Sequence, residues 1–219
     1  IMQYAYTGDA IKAAYKSFKL GRPVLDSTAL KYDSNIRQGQ LAAWLSKNVE
    51  LFVEDSDSED QKLGALGALN LLFKNKNLRG PVFIAGGDNL SDFDLTKMVT
   101  VYNKFKADVI GLYDVENIEL AKLYGIADLE DNRIVDFVEK PLSPPSTLAA
   151  TAYWLLSESG IANFFSYINE GGDRDAMGNF LAWNVKRNSV YSVSFKGNWY
   201  DIGSLDSYSE AQKWLERRP

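Results

Sequence analysis

"VFIAGGDNLSDFDL", Val82 to Leu95, starts as an apolar run and breaks at Gly86-Gly87-Asp88-Asn89. Val82, Phe83 and Ile84 are residues that suit a pleated, buried strand. Two glycines at its end let the backbone come close to a partner, and Asp88 then presents a carboxylate. In open α/β sheets ligands bind beyond the carboxyl ends of strands, so Asp88 and Asn89 stand where a site is expected. Asp88 supplies a hard oxygen of the kind magnesium prefers. The same four residues also read as an ordinary turn, with an Asx cap for the segment that follows.

Working outward from this stretch, short aliphatic runs alternate with longer amphipathic ones, the pattern of an α/β domain with a mostly parallel sheet. Towards the N-terminus, Asp9 caps a predicted helix through "AIKAAYKSFKL", "RPVLDST" reads as a strand, "NIRQGQLAAWLSK" as a helix and "VELFVED" as a short strand. An acidic loop over 54–61 leads into "KLGALGALNLLFK", which returns to helical spacing. Towards the C-terminus come a helix around "LTKMVTVYNKF", the strand "ADVIGLYDV" and a hairpin over "YGIADLEDNRIVDFVEKP" that turns at Glu-Asp-Asn. "TLAATAYWLLS" is a strand, "SGIANFFSYIN" a helix and "SVYSVSFKGNWYDIG" a strand pair or one extended run. Ser204 caps a terminal helix with Asp206 in its first turn.

The 219 residues suffice for one domain with a sizeable core. The formal charge of -5 and the scattered Lys and Arg argue against a nucleic-acid surface. There is no cysteine, hence no disulfide or thiolate metal site, and no histidine, which removes the usual general base and the usual zinc ligand. Chemistry must therefore run on carboxylates, lysine and backbone amides, with a hard metal as an open option. No apolar run approaches the ~20 residues of a membrane span, so no membrane is expected and the cytoplasm is the default, although a cysteine-free chain also suits export.

Three further motifs carry chemistry. Asp201, in "WYDIGS", lies near the end of an extended run, and with Asp88 it makes a reasonable carboxylate pair for magnesium, which takes one or two carboxylates plus substrate phosphates. Alone, its plainer reading is a strand-end turn. "FVEKP" sets Glu139 and Lys140 at a strand end before Pro141, an acid for hydroxyls beside an ammonium for a phosphate. A surface ion pair is the plainer reading of the same two residues. In "KLGALGALN" the amides at a helix start can receive an anion or a base edge, or Gly64 and Gly67 simply allow close helix packing.

Taken in order, LGALGALN, FIAGGDNLSDFDL, YGIADLEDNRIVDFVEKP, STLAATAYW and NWYDIGSLDSYSEA resemble the sugar-phosphate nucleotidyltransferases, from about Val49 to Ala211. "GDRDAMGNFLAW" resembles a loop and helix near the sugar site of some members. The resemblance implies a Rossmann-like, doubly wound, mixed and mostly parallel sheet in a single domain over 1–219. It implies transfer of a nucleotidyl group from a nucleoside triphosphate to a sugar-1-phosphate, or a related phosphate, with release of pyrophosphate and with Mg2+ as cofactor. Asp88 and Asp201 are then the metal ligands, and both are catalytic together with Lys140, which also holds the sugar phosphate. Gly125 meets the sugar through its backbone and Glu139 binds its hydroxyls. Gly64 falls at the nucleobase, Asn89 beside the metal aspartate among the substrate-binding residues, and Thr151 near a substrate-facing position. Relatives assemble as dimers or tetramers, and the sequence leaves a homo-oligomer open.

The resemblance is incomplete. The family opens with a strand and a glycine-rich, Thr-Arg-containing loop followed by a Pro-Lys pair, and "IMQYAYTGDAIKAAY" contains neither. Ile1 as first residue leads to the expectation that further residues precede it; the alternative is a relative that binds nucleotide or sugar nucleotide without transferring. Thr147 stands where relatives often carry asparagine, and Ala152 where they often carry glycine, which leaves the identity of the phosphate substrate open.

Overall fold

The structure, a computed structural model, describes residues 63–217. The predicted helices and strands before Lys62, and the acidic loop, lie outside the described residues. Residues 63–207 form one compact unit, and residues from 208 onward belong to a second.

The described residues open with helix α1 (Gly64–Lys76), followed by strands β1 (Val82–Ala85) and β2 (Asn89–Ser91) and helix α2 (Thr96–Phe105). Strand β3 (Asp108–Asp114), a short helix α3 (Ile118–Ala121), the hairpin β4 (Gly125–Glu130) and β5 (Arg133–Glu139), and the long β6 (Leu148–Leu156) come next. Helices α4 (Glu158–Asn169) and α5 (Met177–Asn184), strands β7 (Val190–Phe195) and β8 (Trp199–Asp201) and helix α6 (Leu205–Glu216) complete the order. These bounds meet the expected elements closely. The run "SVYSVSFKGNWYDIG" proves to be two strands that join different sheets.

Six strands pair in the order β1-β6-β3-β7-β5-β4, and β2 pairs with β8 in a separate ribbon. The sheet is mixed, as expected, but within the described residues the balance of directions differs from the sequence reading. Only β3 and β7 run parallel there. Strand β6 lies antiparallel to both β1 and β3, and the β4–β5 hairpin runs back along the sheet. Apolar patterning specifies which residues are buried but carries no sign of strand direction.

Alternate residues of β3 and β6 feed two cores. Ile110, Leu112, Trp154 and Leu156 pack with Phe73 of α1, Phe164 of α4 and Phe180 of α5. Val109, Tyr153 and Leu155 pack with Met98 of α2 and with Phe195. Because successive strand residues point to opposite faces, this division puts helices on both sides of the sheet. It also explains the unbroken burial of "DVIGL" in β3, a strand covered on both faces.

Local signals account for the boundaries. The Ser157 hydroxyl accepts from the Gly160 amide at 2.9 Å and so caps α4. The hairpin turns through Asp131 and Asn132, with Asp131 at φ 57° and Glu130 paired to Arg133. The amide of Ser207 donates to the Ser204 hydroxyl at 3.1 Å at the head of α6, where Asp206 occupies the first turn. Among the described residues no helix is long and apolar enough to cross a membrane.

Candidate functional site

At the end of β1 the Gly86 amide donates to the Ala152 carbonyl at 2.9 Å, drawing the chain tightly against β6. A Cβ on Gly86 would lie 2.6 Å from that of Ala152 and 2.9 Å from Asp88 Oδ1, so glycine is required by close approach. The chain turns through Gly87 and Asp88 and enters β2, whose Asn89 pairs across the ribbon with Asp201 of β8. The Ile202 amide closes the same corner on the Asp88 carbonyl at 2.9 Å. Two strand-end aspartates far apart in the chain thus stand side by side.

Asn89 joins them. Its amide nitrogen donates to Asp88 Oδ1 at 3.0 Å and to Asp201 Oδ1 at 3.2 Å. Its carbonyl oxygen accepts from the Trp199 indole at 2.7 Å and from the Ala152 amide at 3.4 Å. An indole N–H can only donate, so Trp199 decides which way the Asn89 amide faces, and that orientation turns the NH2 group to the carboxylates. Trp199 is held between Tyr113 and Tyr124, with ring centroids 5.5 and 5.3 Å away.

The Asp201 residue lies at the surface, yet neighbouring groups crowd its carboxyl. Partial burial raises its pKa and the charge of Asp88 raises it further, against the hydrogen bond from Asn89 and the charge of Lys140. Tyr124 is raised as well, by burial first and then by the Asp201 charge.

Beside this pair, Gly125 at the head of β4 pairs with Glu139 at the end of β5. Lys140 then adopts φ 45° while its amide donates to the Tyr124 carbonyl at 3.1 Å. A left-handed conformation costs a non-glycine residue about 1–2 kcal/mol, and here it redirects the chain where the site lies. The Lys140 ammonium acts electrostatically on both Glu139 and Asp201, so the two halves of the site share one field. Glu139 is half-buried, and burial lifts its pKa while Lys140 opposes the rise.

Asp88, Asn89, Asp201, Gly125, Glu139 and Lys140 are therefore brought into one neighbourhood. The two other expected residues, Thr151 and Gly64, are packed against neighbouring backbone. The Thr151 side chain is buried. Its hydroxyl donates to the Gly111 carbonyl at 2.9 Å and accepts the Tyr153 amide at 3.3 Å. The register of β3 against β6 shifts between Ile110 and Leu112, and Thr151 packs where Gly111 leaves room.

Gly64 starts α1 at φ +71°, where a Cβ would lie 2.5 Å from the Arg174 carbonyl oxygen. The amides of Ala65 and Leu66 are spent on the carbonyls of Asp175 and Arg174, so these two are closed to an anion. Close packing accounts for this glycine. Thr147 donates to Asp114 Oδ1 at 2.6 Å.

Sequence reasoning passed over Trp199 and Tyr124 as site residues, and also Gly178, which lies against Glu139. A glycine second in a helix was the one signal in the sequence for the last of these. Among the described residues no group of three or more Asp, Glu, His or Cys is placed to hold a metal; Asp88 and Asp201 are a pair.

Comparison with known proteins gives a consistent result. Residues 27–218 match the family described as Nucleotidyl transferase. Glucose-1-phosphate adenylyltransferase of Mycoplasma mobile is 27% identical over 146 residues, 65% of this chain and 38% of that protein. The enzyme of the same name from Thermosipho africanus is 30% identical over 141 residues, 62% of this chain and 34% of its own. The chain thus spans little more than a third of these relatives' length. Among solved structures, UDP-glucose pyrophosphorylase complexed with UDP-glucose superposes with a TM-score of 0.60 at 26% identity, covering 71% of this chain and 63% of the other. Apo UDP-glucose pyrophosphorylase gives 0.67 at 20% identity, covering 97% and 86%, a likeness of fold.

Proposed function

The chain belongs to the nucleotidyl transferase family, and from that premise we propose that it serves transfer of a nucleotidyl group to a sugar-1-phosphate. An oxygen of the sugar phosphate attacks the α-phosphorus of a nucleoside triphosphate, the bond from that phosphorus to the bridging oxygen breaks, and pyrophosphate leaves. The observation that carries this reading is the pair Asp88 and Asp201 held on one Asn89 amide.

Two neighbouring carboxylates sharing a single donor form a site short of positive charge, and their oxygens suit a hard divalent cation. Asp88 and Asp201 would hold Mg2+, which when bound neutralises charge on the phosphates and orients them. Asn89 keeps the two carboxylates together and Trp199 keeps Asn89 turned towards them. Lys140 places an ammonium beside them for the sugar phosphate, while Glu139, backed by Gly125, takes the sugar hydroxyls. No proton-transfer group such as histidine is needed, because nucleotidyl transfer depends mostly on positioning and charge neutralisation.

The test is pyrophosphate release by the protein across the nucleoside triphosphates and a panel of sugar 1-phosphates, with and without Mg2+. Release that requires both substrates and the metal is expected. Absence of release with every pair, from folded protein, overturns the reading.

A further inference from the structure

We infer that Gly178 is a positioning residue for sugar recognition: the side chain it lacks is the space in which the Glu139 carboxylate rests. The inference builds on the reading of Glu139 as the acid that meets the sugar hydroxyls.

Gly178 is the second residue of α5 and is buried. It lies outside the left-handed region, so conformational freedom does not account for it, and within a helix glycine is disfavoured relative to alanine. Something must offset that cost. A Cβ at this position would lie 1.8 Å from Glu139 Oε2 and 2.8 Å from its Cδ, with Phe137 Cε1 next at 3.1 Å.

Gly125 closes the other side of the same carboxylate and supplies a contrast. Its nearest obstacle is the Phe137 ring, with Cζ at 2.3 Å and Glu139 Oε2 at 2.7 Å. Phe137 is 3% exposed and belongs to the main core, so a methyl at 125 strikes a part of the fold that cannot yield. A methyl at 178 first meets the end of a flexible side chain. The helix would tolerate it, and the carboxylate would have to leave.

The displaced group matters because, among the described residues, packing is what holds the Glu139 carboxylate. Burial raises its pKa and the Lys140 charge lowers it. The carboxylate is held in place by shape, between two glycines from different elements, with its oxygens left for an incoming hydroxyl. Gly178 acts through Glu139 and makes no contact of its own with the substrate in this arrangement.

The experiment is Gly178→Ala in the whole protein, with three readouts: thermal midpoint, steady-state constants for each substrate, and the 13C-carboxyl resonance of Glu139, assigned with Glu139→Gln. The midpoint should hold or rise. KM for the sugar 1-phosphate should rise roughly 10- to 100-fold, the loss of one hydrogen bond to a charged group, with KM for the nucleotide unchanged. The Glu139 resonance and its titration midpoint should both move, and Gly178→Ala should add little to a Glu139→Ala background.

An unmoved resonance, or an unchanged KM in an active enzyme, overturns the inference. A midpoint lowered by several degrees does so too, because the Phe137 contact would then explain the glycine. If the parent protein transfers to no sugar phosphate, the functional reading falls, and the resonance alone decides whether Gly178 positions Glu139.

Discussion

Two groups of carboxylates, one at the start of β3 and one around the β2–β8 ribbon and the end of β5, are treated in opposite ways. Asp108, at the start of β3, is 3% exposed and fully answered: Ser157 donates from its amide and its hydroxyl at 2.7 Å each, and Asn184 donates at 2.8 Å. Asn184 is fixed in turn, because its carbonyl oxygen accepts from Asn163 and Asn188. Asp88 and Asp201 share one amide between them, and Glu139 sits between two glycines. The deepest acid is a rivet joining β3 to the start of α4 and the end of α5. The acids with fewer partners are the ones proposed for chemistry, so hydrogen-bond saturation and depth of burial separate the two groups in the same sense.

The largest effects should come from the unsaturated group. Asp88→Asn and Asp201→Asn are each expected to lower turnover on the order of 100-fold or more, with the unfolding midpoint little changed, since each removes a charged oxygen that the phosphates' cation needs. Pyrophosphate-release rates beside thermal melts check this. Should Asp108→Asn depress turnover as far as these do in a protein that stays folded, the division between rivet and site is wrong.

A smaller effect sharpens the role of Asn89. Trp199→Phe keeps an aromatic ring between Tyr113 and Tyr124 but removes the N–H that orients the amide. Loss of an outer partner of this kind weakens a metal site roughly 10- to 100-fold. The Mg2+ concentration for half-maximal rate should rise accordingly; an unchanged metal dependence would show that the Ala152 amide alone suffices to orient Asn89.

The least effect on catalysis, and the clearest on stability, is expected at Asp108. Burial raises its native pKa despite three hydrogen bonds. The unfolded value is about 3.9, so between that pH and the raised native value the folded state binds more protons than the unfolded one. Asp108 therefore contributes stability that is fully present below the unfolded pKa and is lost as pH rises through the native pKa. Asp108→Asn should remove this component of the pH slope in urea unfolding, from about pH 4 upward through the raised native pKa. It should also cost about 1–3 kcal/mol, because the new amide sets a donor against Asn184. A slope identical to that of the parent would show that other groups dominate.

Much of this comparison was legible in the residues. Gly86-Gly87-Asp88-Asn89 and "WYDIGS" marked the two aspartates, "FVEKP" marked Glu139 and Lys140, and the Asp131-Asn132 turn marked the hairpin that returns Glu139 to Gly125. Each of these signals is local: a backbone constraint or cap within a few positions of the residue it explains. The Asn89 bridge was not legible, since it exists only because β2 meets β8 across 112 positions of chain. The burial of Thr151 was not legible either, since its hydroxyl is bonded to a carbonyl 40 positions away.

By itself, then, the sequence determined an α/β layering, with apolar periodicities of about two and about 3.6 residues along the strands and helices. It also determined a chemistry without histidine or cysteine, and which acids end strands. Tertiary structure alone decided the antiparallel course of β6, the pairing that puts one amide between two aspartates, and the glycine gap that receives Glu139. Strand direction, cross-strand register and the room left by an absent Cβ are properties of pairs of segments distant along the chain, and no local pattern encodes the distance between such segments.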